Sequence, residues 1–186
     1  MDKQNNLKET IAIFAGGCFW CTEAVFQRLN GVKKVVSGYT GGSIKNPAYR
    51  EICTGRTGHA EAVKIVFDEA KVSYVELLEV FFATHDPTTL NRQGNDVGTQ
   101  YRSEIFYTSL EQKGQAEDFI AALEKQHVFS SPVVTAVSAA MPFYEAETEH
   151  QNYYNDNQLQ PYCQFIINPK IKKLNHSFSS KLNTAH

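Results

Sequence analysis

The sequence predicts an α+β fold, a two-layer sandwich in which helices pack on a mixed, mainly antiparallel sheet. Strand-like and helix-like segments alternate, but not strictly. The strand-like stretches that begin at Val32 and Ala60 are joined by residues without helical periodicity, which breaks the strand–helix–strand order of a doubly wound parallel sheet. In addition, 186 residues, 42% hydrophobic and 12% aromatic, suffice for one domain with a sizeable core. Residues 1–8 and about 170–186 are polar and are expected to extend from that domain.

Residues 10–15 are a short apolar run, rich in β-branched and aromatic side chains and closed by Gly16-Gly17, so a buried strand is expected. Apolar positions at Phe19, Val25, Phe26 and Leu29 mark a helix over 18–29, which Asn30-Gly31 ends. A strand over 32–39 is closed by Gly41-Gly42, and 43–58 is a loop punctuated by Pro47, Gly55 and Gly58. In the strand over 59–68 the period of two puts Glu61 on the face of Val63, Ile65 and Phe67, so a carboxylate points toward the core.

Ser73 and Glu76 form a capping box for an amphipathic helix that reaches about Ala83. The polar stretch 85–102, with Pro87, Gly94 and Gly98, is too long for an ordinary connection and is expected to be an ordered functional loop. A strand at 103–107, a helix capped at Ser109, a strand at 133–139 and a short helix at 147–157 follow. Residues 163–167 are expected as a last strand or an ordered tail. The arrangement anticipated for the whole is a ferredoxin-like plait with helices packed on it.

The formal net charge is −2, and no run of Lys or Arg offers a footprint for nucleic acid or a membrane. Lys170-Ile171-Lys172-Lys173 reads as a solvated tail. The N-terminus is polar, and the apolar stretch after it is too short for a signal-peptide core or a membrane span. A monomer in the cytoplasm is therefore the default. Four cysteines, Cys18, Cys21, Cys53 and Cys163, are too few for a disulfide scaffold, which leaves redox chemistry, metal binding or packing as their uses.

Cys18 stands where a strand turns into a helix, and the helix dipole and unpaired N–H groups there favour a thiolate. Cys21 lies three residues on, on the same helix face, with the spacing of a redox dithiol or of half a zinc site. Zinc would need two more ligands, and Cys53, Cys163, His59 and His150 lie singly. Cys53 reads as a buried small hydrophobe. Desolvation would raise the pKa of the inward Glu61 and make it a candidate proton donor. Phe19 and Trp20 suit either the core or a pocket for an apolar group such as a methyl. Tyr49, Asp96 and Tyr101 fall in expected loops and carry no signal alone.

Several blocks in order carry more. Gly17-Cys18-Phe19-Trp20 with Glu23, Ser37-Gly38-Tyr39-Thr40-Gly41-Gly42, Asn46-Pro47-Ala48-Tyr49, Thr57-Gly58-His59-Ala60-Glu61, His85-Asp86-Pro87-Thr88 and the run from Asn91 to Ser103 closely resemble the A-type peptide methionine sulfoxide reductases. Phe143-Tyr144, Glu147 and His150-Gln151 extend the resemblance, which covers residues from about 11 to 163.

The resemblance implies reduction of the S epimer of methionine sulfoxide, free or in proteins, on an α+β fold with no metal or organic cofactor. It implies Cys18 as nucleophile, Glu61 as acid, Tyr49 and Tyr101 as hydrogen-bond donors at the sulfoxide oxygen, and Asp96 as a supporting carboxylate. Phe19 and Trp20 match a methyl-binding wall. A second thiol would condense with a Cys18 sulfenic acid, and thioredoxin would reduce the resulting disulfide. Many relatives have glycine at the position of Cys21 and use a cysteine in a glycine-rich C-terminal tail. Here Cys163 follows Tyr162 at a similar distance, but Gln164-Phe165-Ile166-Ile167 departs from such a tail. The second thiol is thus Cys163 as first choice, Cys21, or an external one.

Overall fold

The computed structural model describes residues 9–183, and the expected N-terminal extension, 1–8, lies outside them. Strand β1 (Thr10–Gly16) runs into two glycines and then α1 (Phe19–Phe26), with Cys18 as its N-cap residue. After β2 (Val32–Thr40) the connecting loop contains one short helix, α2 (Tyr49–Ile52), where the sequence predicted none. Next come β3 (Ala60–Phe67) and α3 (Tyr74–Thr84), whose start is fixed by the Ser73 hydroxyl accepting the Glu76 N–H at 3.1 Å. The stretch 85–102 is ordered by a small hairpin, β4 (Arg92–Gln93) with β5 (Asp96–Val97), and by a 3-10 turn at Thr99–Tyr101. β6 (Ser103–Tyr107) leads to α4 (Leu110–Lys125), capped by Ser109, then to β7 (Ala136–Ala139) and β8 (Tyr144–Glu145).

The sheet has the order β7-β6-β1-β3-β2-β8, antiparallel throughout except for the parallel pair β6 and β7. Strand parity sorts its two faces. Ala12, Phe14, Val63, Ile65 and Phe67 join Phe26, Leu77, Phe81 and Leu174 in the main core. Ile13, Ala15, Ala60, Ala62 and Phe106 point the other way into a small cluster roofed by Phe143. Helices therefore cover one face, and the larger side chains are on it. Burying each such aromatic or aliphatic side chain contributes roughly 1.5–3 kcal/mol. Glu61 shares the core parity and is buried opposite Tyr39 in the β2–β3 register.

The C-terminal third departs most from expectation. The helix anticipated over 147–157 is split into a 3-10 turn (Thr148–His150) and α5 (Tyr153–Asp156), because Asn152 takes a left-handed φ of 55° between them. Residues 163–167 are not the strand alternative but an ordered π-helical turn, Cys163–Ile167, running into α6 (Asn168–Ser177). Pro169 gives the reason: in a continuous α-helix its ring would clash with the Phe165 carbonyl, and a widened turn relieves that. Cys163, Ile167, Ile171 and Leu174, spaced for one helix face, are all buried. The polar extension expected from about residue 170 is thus an amphipathic helix docked on the core. Lys170 is partly buried there, its Nζ donating to the Thr84 carbonyl at 2.8 Å.

Candidate active site

Gly17 turns β1 into α1 with a φ of 95°, and a Cβ at this position would lie 2.6 Å from Cγ of Gln93. Both the left-handed backbone and the close approach need glycine. Gly17→Ala is expected to lower the free energy of unfolding by about 1–2 kcal/mol, measured by urea titration. The turn delivers Cys18, which is only 8% exposed. Its expected thiolate character is not what the structure shows. Burial, followed by the adjacent Cys21 thiol and the Glu61 charge, pushes the Cys18 thiol well up, with the Trp20 N–H acting the other way. Two other N–H groups of this turn are spent elsewhere: Phe19 donates to Glu61 Oε1 at 3.2 Å and Cys21 to the Cys18 carbonyl at 3.1 Å. Desolvation thus outweighs what remains of the helix-start field.

Glu61 is 2% exposed, and burial, reinforced by Asp96 and Cys21 and opposed by the Phe19 N–H, pushes its carboxyl up to about 8. It is mostly protonated at neutral pH and can donate a proton. Tyr49 and Tyr101 are held as phenols by burial, and both feel the Glu61 charge. Tyr49 is positioned by Glu147, whose Oε1 accepts the Tyr49 N–H at 2.9 Å while its Oε2 accepts the Tyr39 hydroxyl at 2.9 Å. Tyr101 closes the 3-10 turn after the β4–β5 hairpin, and Asp96 begins β5.

Trp20 stacks on Tyr153 with ring centroids 3.7 Å apart, meets Tyr162 edge-on at 5.6 Å, and donates its Nε1–H to His150 Nδ1 at 3.2 Å. It is half-buried and immobilised on three sides. Phe19 lies beneath, fully buried against Tyr39 and His150. A cavity of about 80 Å³, room for the end of one side chain, is bordered by Cys18, Cys21, Gln93, Asp96, Tyr162 and Lys170.

Tyr162, to which the sequence assigned no role, links two expected site residues. Its hydroxyl donates to Asp96 Oδ2 at 2.8 Å and lies 3.6 Å from the Cys21 sulfur. The Cys21 thiol is drawn down by the Cys18 thiol above all, then by Lys170 and Tyr162, against its burial and the Asp96 carboxylate. Cys163 is 0% exposed in the main core, and burial raises its thiol. Cys53, expected to be buried, is exposed, because α2 turns only Ile52 inward.

Cys18, Glu61, Tyr49, Tyr101, Asp96 and Trp20 therefore come together, from four separate stretches of chain. Tyr39, Glu147, His150 and Tyr162 support them. Glu147 and His150 fall within blocks of the resemblance; only the fold shows what they hold. The model of a family described as peptide methionine sulfoxide reductase matches residues 10–182. The chain belongs to this family. It is 57% identical over 171 residues to the peptide methionine sulfoxide reductase MsrA of Deinococcus radiodurans, covering 92% of this chain and 83% of that one. Among solved structures it is similar to methionine sulfoxide reductase A of Corynebacterium diphtheriae, with a TM-score of 0.73 and 34% identity over 84% of this chain and 78% of that one. It is also similar to Mxr1 from Saccharomyces cerevisiae in its reduced form, with a TM-score of 0.77 and 29% identity over 87% and 92% of the two chains. The span matched to the peptide methionine sulfoxide reductase family includes the whole sheet, the site and α6.

Proposed function

We propose that this protein reduces the S epimer of methionine sulfoxide, free and in proteins, to methionine, using Cys18 as the nucleophile and thioredoxin as the final reductant. The observation that carries the reading is Glu61, a buried carboxyl held protonated near neutral pH beside a buried thiol. A sulfoxide oxygen leaves sulfur only when protonated, and the best donor has a pKa near the working pH. In this reading the Tyr49 and Tyr101 hydroxyls hold the polarised oxygen, Asp96 keeps Tyr162 in place, and Trp20, with Phe19 behind it, walls the methyl group. The Cys18 sulfur gives up its proton and bonds to the sulfoxide sulfur as Glu61 protonates the oxygen. The hydroxyl then passes from that sulfur to Cys18, making it a sulfenic acid, the S–O and S–S bonds to methionine break with an electron pair left on its sulfur, and the proton from Cys18 restores the Glu61 carboxyl.

Of the candidate second thiols we assign resolution to Cys21. It sits one helical turn from Cys18 with the two thiols interacting, whereas Cys163 is held in the core by the π-turn and α6. An S–S bond forms as the S–O bond breaks, hydroxide is protonated to water, and the Cys18–Cys21 disulfide is reduced by thiol exchange. We also read β1-α1-β2-β3-α3-β6, with its four strands ordered β6-β1-β3-β2, as the core of a ferredoxin-like plait in one catalytic domain, β7 and β8 being added at its edges. A net charge of −2 and the need for a dithiol reductant suit a monomer in a reducing compartment such as the cytoplasm. No helix among the described residues is long and apolar enough to cross a membrane.

The test is stereochemical. With dithiothreitol present, the purified protein is expected to consume the S epimer of a methionine sulfoxide peptide and leave the R epimer intact by chiral chromatography. Consumption of the R epimer, or of neither, sinks the proposal.

A further inference from the structure

Cys21 borders two cavities. One is the cleft of about 80 Å³ shared with Cys18, Asp96 and Tyr162; the other is a small internal void bordered by Gly16, Thr22, Val25, Phe81, Thr84 and His85. Lys170 borders both. It arrives from α6, an element with no counterpart among the expected site residues. Its ammonium is anchored by the Thr84 carbonyl at 2.8 Å rather than extended into solvent. Among the described residues that border these cavities it is the one cation. His85 is kept neutral, its pKa pushed down to about 4 chiefly by burial, and its ring nitrogens pair with the Phe81 carbonyl and the Ser103 hydroxyl.

We infer that Lys170 is a positioning residue for the resolving step, holding Cys21 as the thiolate that attacks the Cys18 sulfenic acid. The inference rests on the assignment of Cys21 as the resolving thiol. The other groups around this sulfur explain why a cation is needed. Asp96 and Glu61 are carboxyls, Tyr162 is a phenol that donates to Asp96 and stands 3.6 Å away, and Cys18 and Cys163 are thiols. In the resting enzyme the Cys18 thiol is the strongest support for a Cys21 anion. Once Cys18 is a sulfenic acid that thiol is gone, at the very step where the anion is required. Lys170 is unchanged by the chemistry. The same reaction balance holds as above: the Cys21 sulfur is oxidised, the sulfenic sulfur reduced, and hydroxide leaves as water.

The direct test is the pH midpoint of Cys21 alkylation by iodoacetamide, read by peptide mass, in the full-length Cys18→Ser protein, where the Cys18 thiol no longer contributes. Adding Lys170→Met is expected to raise that midpoint by about one unit, and Lys170→Arg to leave it near the parent value. In single turnover with Cys18 present, Lys170→Met should slow disulfide formation about threefold at pH 7, the lost thiolate being partly offset by the higher nucleophilicity of a more basic sulfur. An unmoved midpoint in Lys170→Met overturns the inference, as does an equal shift in Lys170→Met and Lys170→Arg, which would assign Lys170 to packing. Peptide mapping of the oxidised wild type separates the two levels. A Cys18–Cys163 crosslink there removes the Cys21 assignment and this inference with it, whereas a Cys18–Cys21 crosslink with unmoved midpoints removes Lys170 alone.

Discussion

Glu61→Gln is expected to reduce kcat/KM by about 10²–10⁴-fold, the usual worth of a positioned proton donor, while making the fold more stable in alkaline solution. The two effects have one origin. In the folded protein the Glu61 carboxyl titrates at about 8, against an ordinary value of 4.5. Below pH 4.5 both folded and unfolded chains carry the proton, and Glu61 costs nothing. Between 4.5 and 8 the unfolded chain releases the proton and the folded chain keeps it, so stability falls as pH rises and levels off above 8. Glutamine keeps the neutral shape and the Phe19 N–H partner but has no proton to lose. Urea titration should therefore find the variant close to wild type at pH 5 and more stable by about 2–4 kcal/mol at pH 9. The activity of the wild type should fall as pH passes 8, where the donor is lost. A variant that retains activity would mean that Glu61 is not the proton donor, and a stability difference that does not grow with pH would mean that the fold does not raise its carboxyl.

Glu61 also shows what a sequence of this kind discloses. Its inward direction follows from strand parity alone, since residues 61, 63, 65 and 67 share a face whatever the sheet order. The state of Cys18 is the opposite case. The chain shows a thiol at a helix start, but not that burial and a neighbouring thiol would outweigh the helix field there; that needs the third dimension. The tail was misread for a local reason. Ile166, Ile167 and Phe165 suggest a strand, and Lys172 and Lys173 a solvated end, yet Cys163, Ile167, Ile171 and Leu174 already carry helical spacing across both. Pro169, which would interrupt a regular helix there, is accommodated by the π-turn. With that helix missed, Tyr162 and Lys170 could not be placed beside Cys21. The residue α2 presents, Tyr49, was visible only through the resemblance, because a four-residue helix has no periodicity to detect.

Cys18→Ser and Cys21→Ser are expected to fail at different steps, and the difference tests the assignment of roles. Cys18→Ser should release no methionine from either epimer even in a single turnover, since a serine hydroxyl is far too poor a nucleophile toward sulfoxide sulfur. Cys21→Ser keeps the nucleophile, Glu61 and the tyrosines, and should release one methionine per chain and then stop. Its steady-state rate with thioredoxin should drop more than about 10²-fold, because the intramolecular thiol it loses acts at an effective concentration no external thiol reaches. Small thiols at high concentration should restore part of that rate by attacking the sulfenic acid directly. Cys163→Ser supplies the contrast. Cys163 is wholly buried, so the substitution should cost stability without touching recycling. If recycling instead survives in Cys21→Ser and disappears in Cys163→Ser, α6 and the π-turn must unwind during each cycle to deliver Cys163. The Ile171 and Leu174 contacts that hold α6 on the core would then be a barrier within turnover.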